Sequence, residues 1–397
     1  MLKSSSEGAG SGLSPYLLLL MSVATGLAVA GNYYAQPLLS TIAQDLQLST
    51  AAATNVVTTA QLSYGLGLLL LVPLADVWER KRMIVVLMLL AAFGLAMSAM
   101  ASGLTGLLVG TAIAGLCSAV AQVLVPFAAT LATPQERGRA VGVVMSGLLI
   151  GILLARVVAG VISSLFDWRG VYAVSAVAMV CCTMVLARAL PRYRDDAGLS
   201  YGRLLGSVLE QFVLEPALRL SAALGFVILF LFSLFWTPLA FLLAAPPYEY
   251  SDALIGAFGL AGAAGALSAN WAGRMADKGK GASATWVGLL GLLLAWLPLG
   301  FAQTSLIALL VGVLVLDLAV QLAHVSNQNT IYALNPRARN RLNAAYMTCY
   351  FLGGAAGSWG AAHIYPQAGW RGVVIAGVAV SILGIALGAL GLRRKLS

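Results

Sequence analysis

A stripe of polar side chains runs along one face of an otherwise apolar segment, residues 304–333. At the 100° step of an α-helix, four of its members fall within an arc of about 60°: Asp317, Gln321, His324 and Gln328. A charged or amide side chain inside hydrocarbon is costly unless it faces protein or water. The stripe therefore predicts a hydrated cavity. Asp317, with His324 two turns away, is predicted to take and release a coupling proton.

Arg156 is the basic counterpart of this stripe. It is the one guanidinium that we place deep in an apolar segment, as Asp317 is the one deep carboxylate among 14 acidic residues. At 1.5 Å per residue, both lie about 26 to 28 Å from the same membrane edge, so the two can pair. We expect Arg156 to set the pKa of Asp317 or to bind an anionic group. A static buried ion pair that fixes helix packing is the alternative.

Polar or aromatic faces also occur in the apolar segments 15–37, 104–132 and 217–244. Asn32 and Gln36 share a side of the first segment, Gln122 lies in the second, and the third has an aromatic and hydroxyl face. Such residues can also join helices to one another without any transport role. Taken with the stripe, they predict a substrate cavity formed by Asn32, Gln36, Gln122, Phe226, Phe230, Ser233, Thr237, Gln321 and Gln328.

The segments that position these groups are membrane spans. Of the 397 residues 60% are hydrophobic and 9% charged, and a bilayer span needs about 20 apolar residues. Twelve such runs are predicted: 15–37, 52–75, 83–101, 104–132, 139–165, 171–190, 217–244, 252–275, 283–302, 304–333, 342–365 and 371–392. The fold class is therefore an all-α membrane protein.

The distribution of charge predicts the orientation of these spans. Most of the 23 basic residues fall in loops on one side of the membrane, whereas the loops on the other side hold only Arg169 and Arg371. Because cytoplasmic loops are enriched in Lys and Arg, both termini are predicted to be cytoplasmic, in an inner membrane. The net charge of +9 then reports topology, and no nucleic-acid partner is expected.

An internal repeat divides the chain into two halves. A shift of 202 residues carries Pro134 onto Pro336, and Trp168-Arg169-Gly170 onto Trp370-Arg371-Gly372. Six spans per half place equivalent loops on the same membrane face, which predicts two parallel six-helix bundles. The predicted organisation is a tail 1–14, a bundle 15–190, a linker 191–216, a bundle 217–392 and a tail 393–397. The linker includes a stretch with helical apolar spacing, which indicates a surface helix.

These landmarks resemble the major facilitator superfamily over essentially the whole chain. The family's loop signature after span two is matched by VPLADVWERK, residues 72–81, and its second copy by GRMADKGKG from Gly273. The resemblance implies a cytoplasmic gate formed by the charges of Asp76, Arg80 and Asp277. The glycine-rich pattern that drug-efflux antiporters of this family carry in span five keeps its spacing here, although its Gly-Pro pair is replaced by Ala155-Arg156.

The function predicted from the sequence is proton-coupled efflux of small organic or amphipathic solutes by alternating access. Proton-coupled uptake of a small organic anion is one alternative, and a membrane receptor or scaffold without transport is another. The chain has no phosphate-binding loop for ATP, and its two histidines lie on different spans. We therefore expect neither an enzyme nor a cofactor or metal. The expected partners are the lipid bilayer, protons and a small-molecule substrate, and one chain supplies a complete carrier as a monomer.

Overall fold

The computed structural model describes residues 13–194, 200–262, 271, 274–275, 281–335 and 338–396. The described part is built of helices that follow one another through short connections. Their bounds are α1 Pro15–Ala30, α2 Ala35–Asp45, α3 Thr50–Leu70, α4 Arg80–Ala99, α5 Leu104–Cys117, α6 Ala121–Leu131, α7 Arg137–Leu165, α8 Trp168–Ala189, α9 Tyr201–Leu214, α10 Pro216–Ala244, α11 Asp252–Ala257, α12 Gly281–Leu299, α13 Leu306–Leu334 and α14 Arg339–Leu396.

The described helices agree with a twelve-span architecture. Nine helical stretches in this part of the chain are long and apolar enough to cross a membrane, and α1 with α2, bent by 41°, forms a tenth span. Gly369 divides α14 into two helices, which adds an eleventh; its φ of 58° and ψ of −158° suit glycine alone. The twelfth span begins with α11, and much of the rest of it lies outside the described residues.

Among the described residues, spans one and four are discontinuous at mid-depth, and a 3₁₀ turn at Phe258–Ala261 also follows α11. The helix of span one is interrupted between Ala30 and Ala35, and span four contains a 3₁₀ turn at Ser118–Val120. Irregular backbone at membrane depth is tolerated where it is enclosed by protein or lines a water-filled space. Asn32 lies in the first break and is almost fully buried. Both breaks therefore lie inside the bundle and away from lipid.

The two halves, α1–α8 and α10–α14, contact each other mainly along two seams, and α2 also packs on α10. In one, α14 packs on α3; in the other, α7 packs on α11. Helix α10 is the most enclosed span, with 83% of its most apolar stretch buried, whereas the corresponding value for α7 is 22%. Most of α7 is therefore open either to the outside of the bundle or to the space between the halves, and its few buried side chains, Arg156 among them, lie where it contacts the other helices.

The linker between the halves contains the amphipathic helix α9. Its buried residues Leu204, Val208 and Gln211 recur at helical spacing, while Leu209 and Val213 are exposed. The Tyr201 hydroxyl, in the first turn, donates a hydrogen bond of 2.6 Å to the carbonyl of Leu70. This bond ties the linker helix to the end of α3.

Candidate functional site

A cavity of about 880 Å³ runs between the two halves. It extends from mid-membrane to the face that carries Arg80 and the Arg339–Arg341 segment, which we call the basic face. The wall is mainly aliphatic and aromatic. Its polar members at depth are Gln122, Arg156, Asp317, Gln321, His324 and Gln328. The structure thus brings six of the residues predicted for proton coupling and substrate binding into the lining of one cavity.

Arg156 and Asp317 meet through the indole of Trp236. The guanidinium of Arg156 lies over the Trp236 ring, with Cζ 4.0 Å from the ring centroid. Trp236 Nε1 donates a hydrogen bond of 3.2 Å to Asp317 Oδ1. Arg156 is 2% exposed and Asp317 3%. Their charges therefore lie close together in a low-dielectric interior, joined by the indole instead of by the direct contact that the sequence suggested.

Arg156 is held in an aromatic cage. Besides Trp236, its Cζ lies 5.2 Å from the centroid of Tyr33 and 5.4 Å from that of Phe232. Its Nε donates a hydrogen bond of 2.7 Å to Gln36 Oε1. Its Nη2 is buried and has no hydrogen-bond partner among the described residues. Arg156, which lines the cavity, thus has a donor that these residues leave unused.

His324 belongs to a second aromatic cluster, formed with α14. Its Nδ1 lies 3.0 Å from the Tyr346 hydroxyl, and its ring centroid lies 4.3 Å from that of Tyr350. The imidazole is therefore oriented by side chains of its own half. Asp317 lies on the same helix, where its described side-chain partner is Trp236.

Six of the residues predicted for the substrate cavity lie off its wall. Asn32 and Gln36 are buried behind it, and Ser233 and Thr237 are fully buried in α10. The Phe226 and Phe230 backbone lies against α14, where a Cβ on Gly353 or Gly357 would meet their carbonyl oxygens. Gln36 still reaches the site through its bond to Arg156. The backbone on this side of α10 therefore packs against α14 while the Phe226 side chain is exposed, and Phe232 and Trp236, on a different side of α10, contact Arg156.

Two of the three predicted gate residues, Asp76 and Arg80, lie at the mouth of the cavity. Asp76 and Arg80 line it, with Oδ1 and Nη2 3.9 Å apart. Arg80 also donates a hydrogen bond of 3.0 Å to Thr130 Oγ1, and its guanidinium lies 5.3 Å from the ring centroid of Tyr193. These described contacts join Asp76 and Arg80 to the N-terminal half and to the start of the linker. Asp277 lies outside the described residues.

The sequence reasoning missed Trp236, Tyr33 and Tyr346. A signal for Trp236 existed, because an indole N–H deep in a span needs an acceptor and Asp317 was the one carboxylate placed at that depth. Trp236 directly precedes Thr237, but it faces a different side of the helix from the stripe that was read. The predicted stripe contains residues on one face of a single helix, whereas the site is formed by residues of different helices that contact one another.

Comparison with known proteins places this site in a family context. The family model of the Major Facilitator Superfamily matches residues 21–334. The chain is similar to the "Uncharacterized transporter YgaY" of Escherichia coli O157:H7, with 53% identity over 383 residues, which is 96% of this chain and 97% of the relative. It is 31% identical over 390 residues to the "Probable transporter SCO4007" of Streptomyces coelicolor, covering 96% of this chain and 88% of that protein.

Among solved structures, the fold is similar to a bacterial homolog of the human lysosomal transporter Spinster in its inward-facing and unoccupied conformation. The TM-score is 0.78 at 15% identity, with 96% of this chain and 98% of that chain covered. At that identity the likeness concerns the fold.

Proposed function

Because the chain belongs to the major facilitator superfamily and is a multi-pass secondary transporter, we propose that it exports small amphipathic organic solutes in exchange for protons, with Asp317 as the proton carrier. The observation that carries the proposal is the position of Asp317. Among the described residues it is the one buried carboxylate, and it lies on the wall of a cavity that reaches the basic face. A buried carboxylate that water can reach is a proton site by its chemistry.

The charges around Asp317 support exchange. A carboxylate in this interior is stabilised by the Trp236 N–H and by the cation of Arg156, which belongs to the other half. Protonation of Asp317 weakens both interactions, and with them a link between the halves. A change of protonation can therefore alter the balance between two arrangements of the halves, which alternating access requires.

The cavity wall supports an amphipathic cargo. Most of the residues around the polar groups are apolar, including Leu148, Leu229 and Met347. A cavity of this size also falls in the range that holds drug-sized molecules. The direction of transport rests on the spacing in span five, which resembles that of efflux antiporters.

Proteoliposomes that contain a pH dye in the lumen test this proposal. A panel of neutral, cationic and anionic aromatic solutes is first screened by the thermal shift that each causes in the purified protein. We expect an imposed gradient of an active solute to drive proton movement in the opposite direction, and Asp317→Asn to abolish that movement. Asp45→Asn, which changes a carboxylate outside the cavity, is the matched control. Proton movement at the parent rate in Asp317→Asn would refute the role of Asp317.

Uptake of a small organic anion is a second candidate, favoured by Arg156 Nη2, which has no hydrogen-bond partner among the residues that the structure describes. The two candidates differ in the sign of the linkage between solute and proton. A solute that exchanges with the proton releases protons when it binds, whereas an anion on Arg156 draws a proton onto the neighbouring Asp317. Proton release or uptake on binding, measured in weakly buffered detergent solution, therefore decides between exchange and cotransport.

A further inference from the structure

Asp252 joins the two halves at the membrane face opposite the basic face. It is the first residue of α11, in the C-terminal half. Its Oδ1 accepts a hydrogen bond of 2.7 Å from the Thr41 hydroxyl of α2, and its Oδ2 accepts one of 2.7 Å from the Ser163 hydroxyl of α7. Both donors belong to the N-terminal half. Each oxygen of one carboxylate is therefore bonded to a different helix of the other half.

The backbone is tightly packed around these two bonds. A Cβ on Gly160 of α7 would meet the Asp252 carbonyl oxygen and come within 2.9 Å of Ala253 Cα. One turn away, after Asp252 in α11 and before Gly160 in α7, a Cβ on Gly256 would meet the Arg156 carbonyl oxygen. Because neither neighbour is a flexible side chain, the halves are in main-chain contact here. The carboxylate is thereby placed where it meets both hydroxyls.

The three bonded residues lie beyond the closed end of the cavity. Thr41, Ser163 and Asp252 are absent from its lining, and the mouth is at the basic face. A passage that opens on the other side must separate α7 and α2 from α11. Separation would break both hydrogen bonds and leave all three groups to water. Each bond to an ionised group is stronger than a bond between neutral groups, so the pair favours the closed arrangement.

We propose that Asp252 is the positioning residue that holds the passage closed at this face, acting through Thr41 and Ser163. The inference goes beyond the proposed function, because it depends on neither the cargo nor the coupling ion. Asp45 provides a contrast at the same face. Its carboxylate accepts bonds from Arg169 and Trp168, and all three residues belong to the N-terminal half. Its bonds therefore stay intact when the halves part.

Labelling of a cysteine in the cavity tests this assignment. Gln321→Cys is introduced into the full chain, and its reaction with a membrane-impermeant maleimide is measured in sealed vesicles of both orientations. The chain without Gln321→Cys gives the background from its four native cysteines. We expect Asp252→Ala to raise the labelling rate from the face opposite the basic face at least tenfold, and Asp45→Ala to leave it within twofold of the parent rate.

Companion variants distinguish a specific role of Asp252 in closure from a nonspecific loss of helix packing. Thr41→Val with Ser163→Ala removes both donors and should reproduce the effect of Asp252→Ala. Asp252→Asn keeps the shape and can still bond both hydroxyls, so its increase should stay below threefold. The proposal is overturned if Asp252→Ala, or the double variant should the alanine variant not fold, is labelled from that face at the parent rate. It is also overturned if Asp45→Ala raises labelling as much. Neither readout changes if Asp317 proves not to carry the proton.

Discussion

Removing the buried charges one at a time and together measures how strongly the two halves are coupled at the site. Arg156→Gln leaves Asp317 without its cation, and Asp317→Asn leaves Arg156 without its anion. Breaking a buried pair by removing one partner typically costs about 3–5 kcal/mol. The double variant removes both charges and should cost less than the sum of the two single variants. The shortfall is the coupling free energy between the two charges.

The contacts with Trp236 set a lower bound on that coupling. The Arg156 guanidinium carbon is 4.0 Å from the ring centroid, and Asp317 Oδ1 is 3.2 Å from the indole nitrogen. The two charges therefore lie within ~10 Å of each other, and at an effective dielectric constant of ~20 their attraction is at least about 1.7 kcal/mol. Since both groups are buried, this value should change little between low and high salt.

Unfolding of the purified protein by a denaturing detergent in mixed micelles at pH 8 gives the four free energies of the cycle. The Asp45–Arg169 pair is the matched control, because its direct contact of 2.6 Å joins side chains that are 45% and 31% exposed. Such exposed pairs contribute about 0.2–1 kcal/mol and weaken with salt. The longer, buried arrangement should thus couple more strongly than the shorter, exposed one. Additivity within about 0.5 kcal/mol in the buried cycle would refute the reasoning.

Two further outcomes follow from helix packing. Gly151→Ala should lower the free energy of unfolding by about 1–3 kcal/mol, because the new methyl group would meet the backbone of Gly26 in α1. Gly142→Ala, on the same helix with open space around it, should be neutral or slightly stabilising when both variants are unfolded by the denaturing detergent. Equal losses in both variants would contradict the packing. Tyr201→Phe removes the bond to Leu70, worth about 1 kcal/mol. Amide exchange in α9 should therefore rise about fivefold with α3 unchanged, and an unchanged rate in α9 would mean that the bond does not hold the linker helix.

The fold was largely predictable because hydropathy records where each span crosses lipid. The run 304–333 predicted α13 within two residues at each end, and the linker's apolar spacing predicted a helix where α9 lies. The breaks in spans one and four were not predicted. Residues 31–34 are Gly-Asn-Tyr-Tyr, and Pro37 one turn later cannot donate a hydrogen bond to the Tyr33 carbonyl. A hydropathy pattern does not register such local breaks.

The sequence predicted the membrane depth of the site residues but not which face of each helix lines the cavity. Arg156 and Asp317 were singled out because charge is rare at that depth, and the structure places both on the cavity wall. The stripe of α10 failed to identify the wall, because tight contact with Gly353 and Gly357 draws Phe226 and Phe230 toward α14. The residues of a helix show which faces it has. Which of those faces lines the cavity depends on the neighbouring helices, and the sequence of that helix alone does not reveal it.

The bend in span one has a mechanical consequence. Helix α2, which follows the bend, has 11 residues and makes two hydrogen bonds that belong to different parts of the molecule. Gln36 holds the guanidinium of Arg156, and Thr41 holds the carboxylate of Asp252. Gln36 and Thr41 are five residues apart, a rise of about 7.5 Å along the helix. A helix this short moves as one rigid body, so a displacement of Gln36 also displaces Thr41, and the contact with Arg156 is mechanically joined to the contact with Asp252.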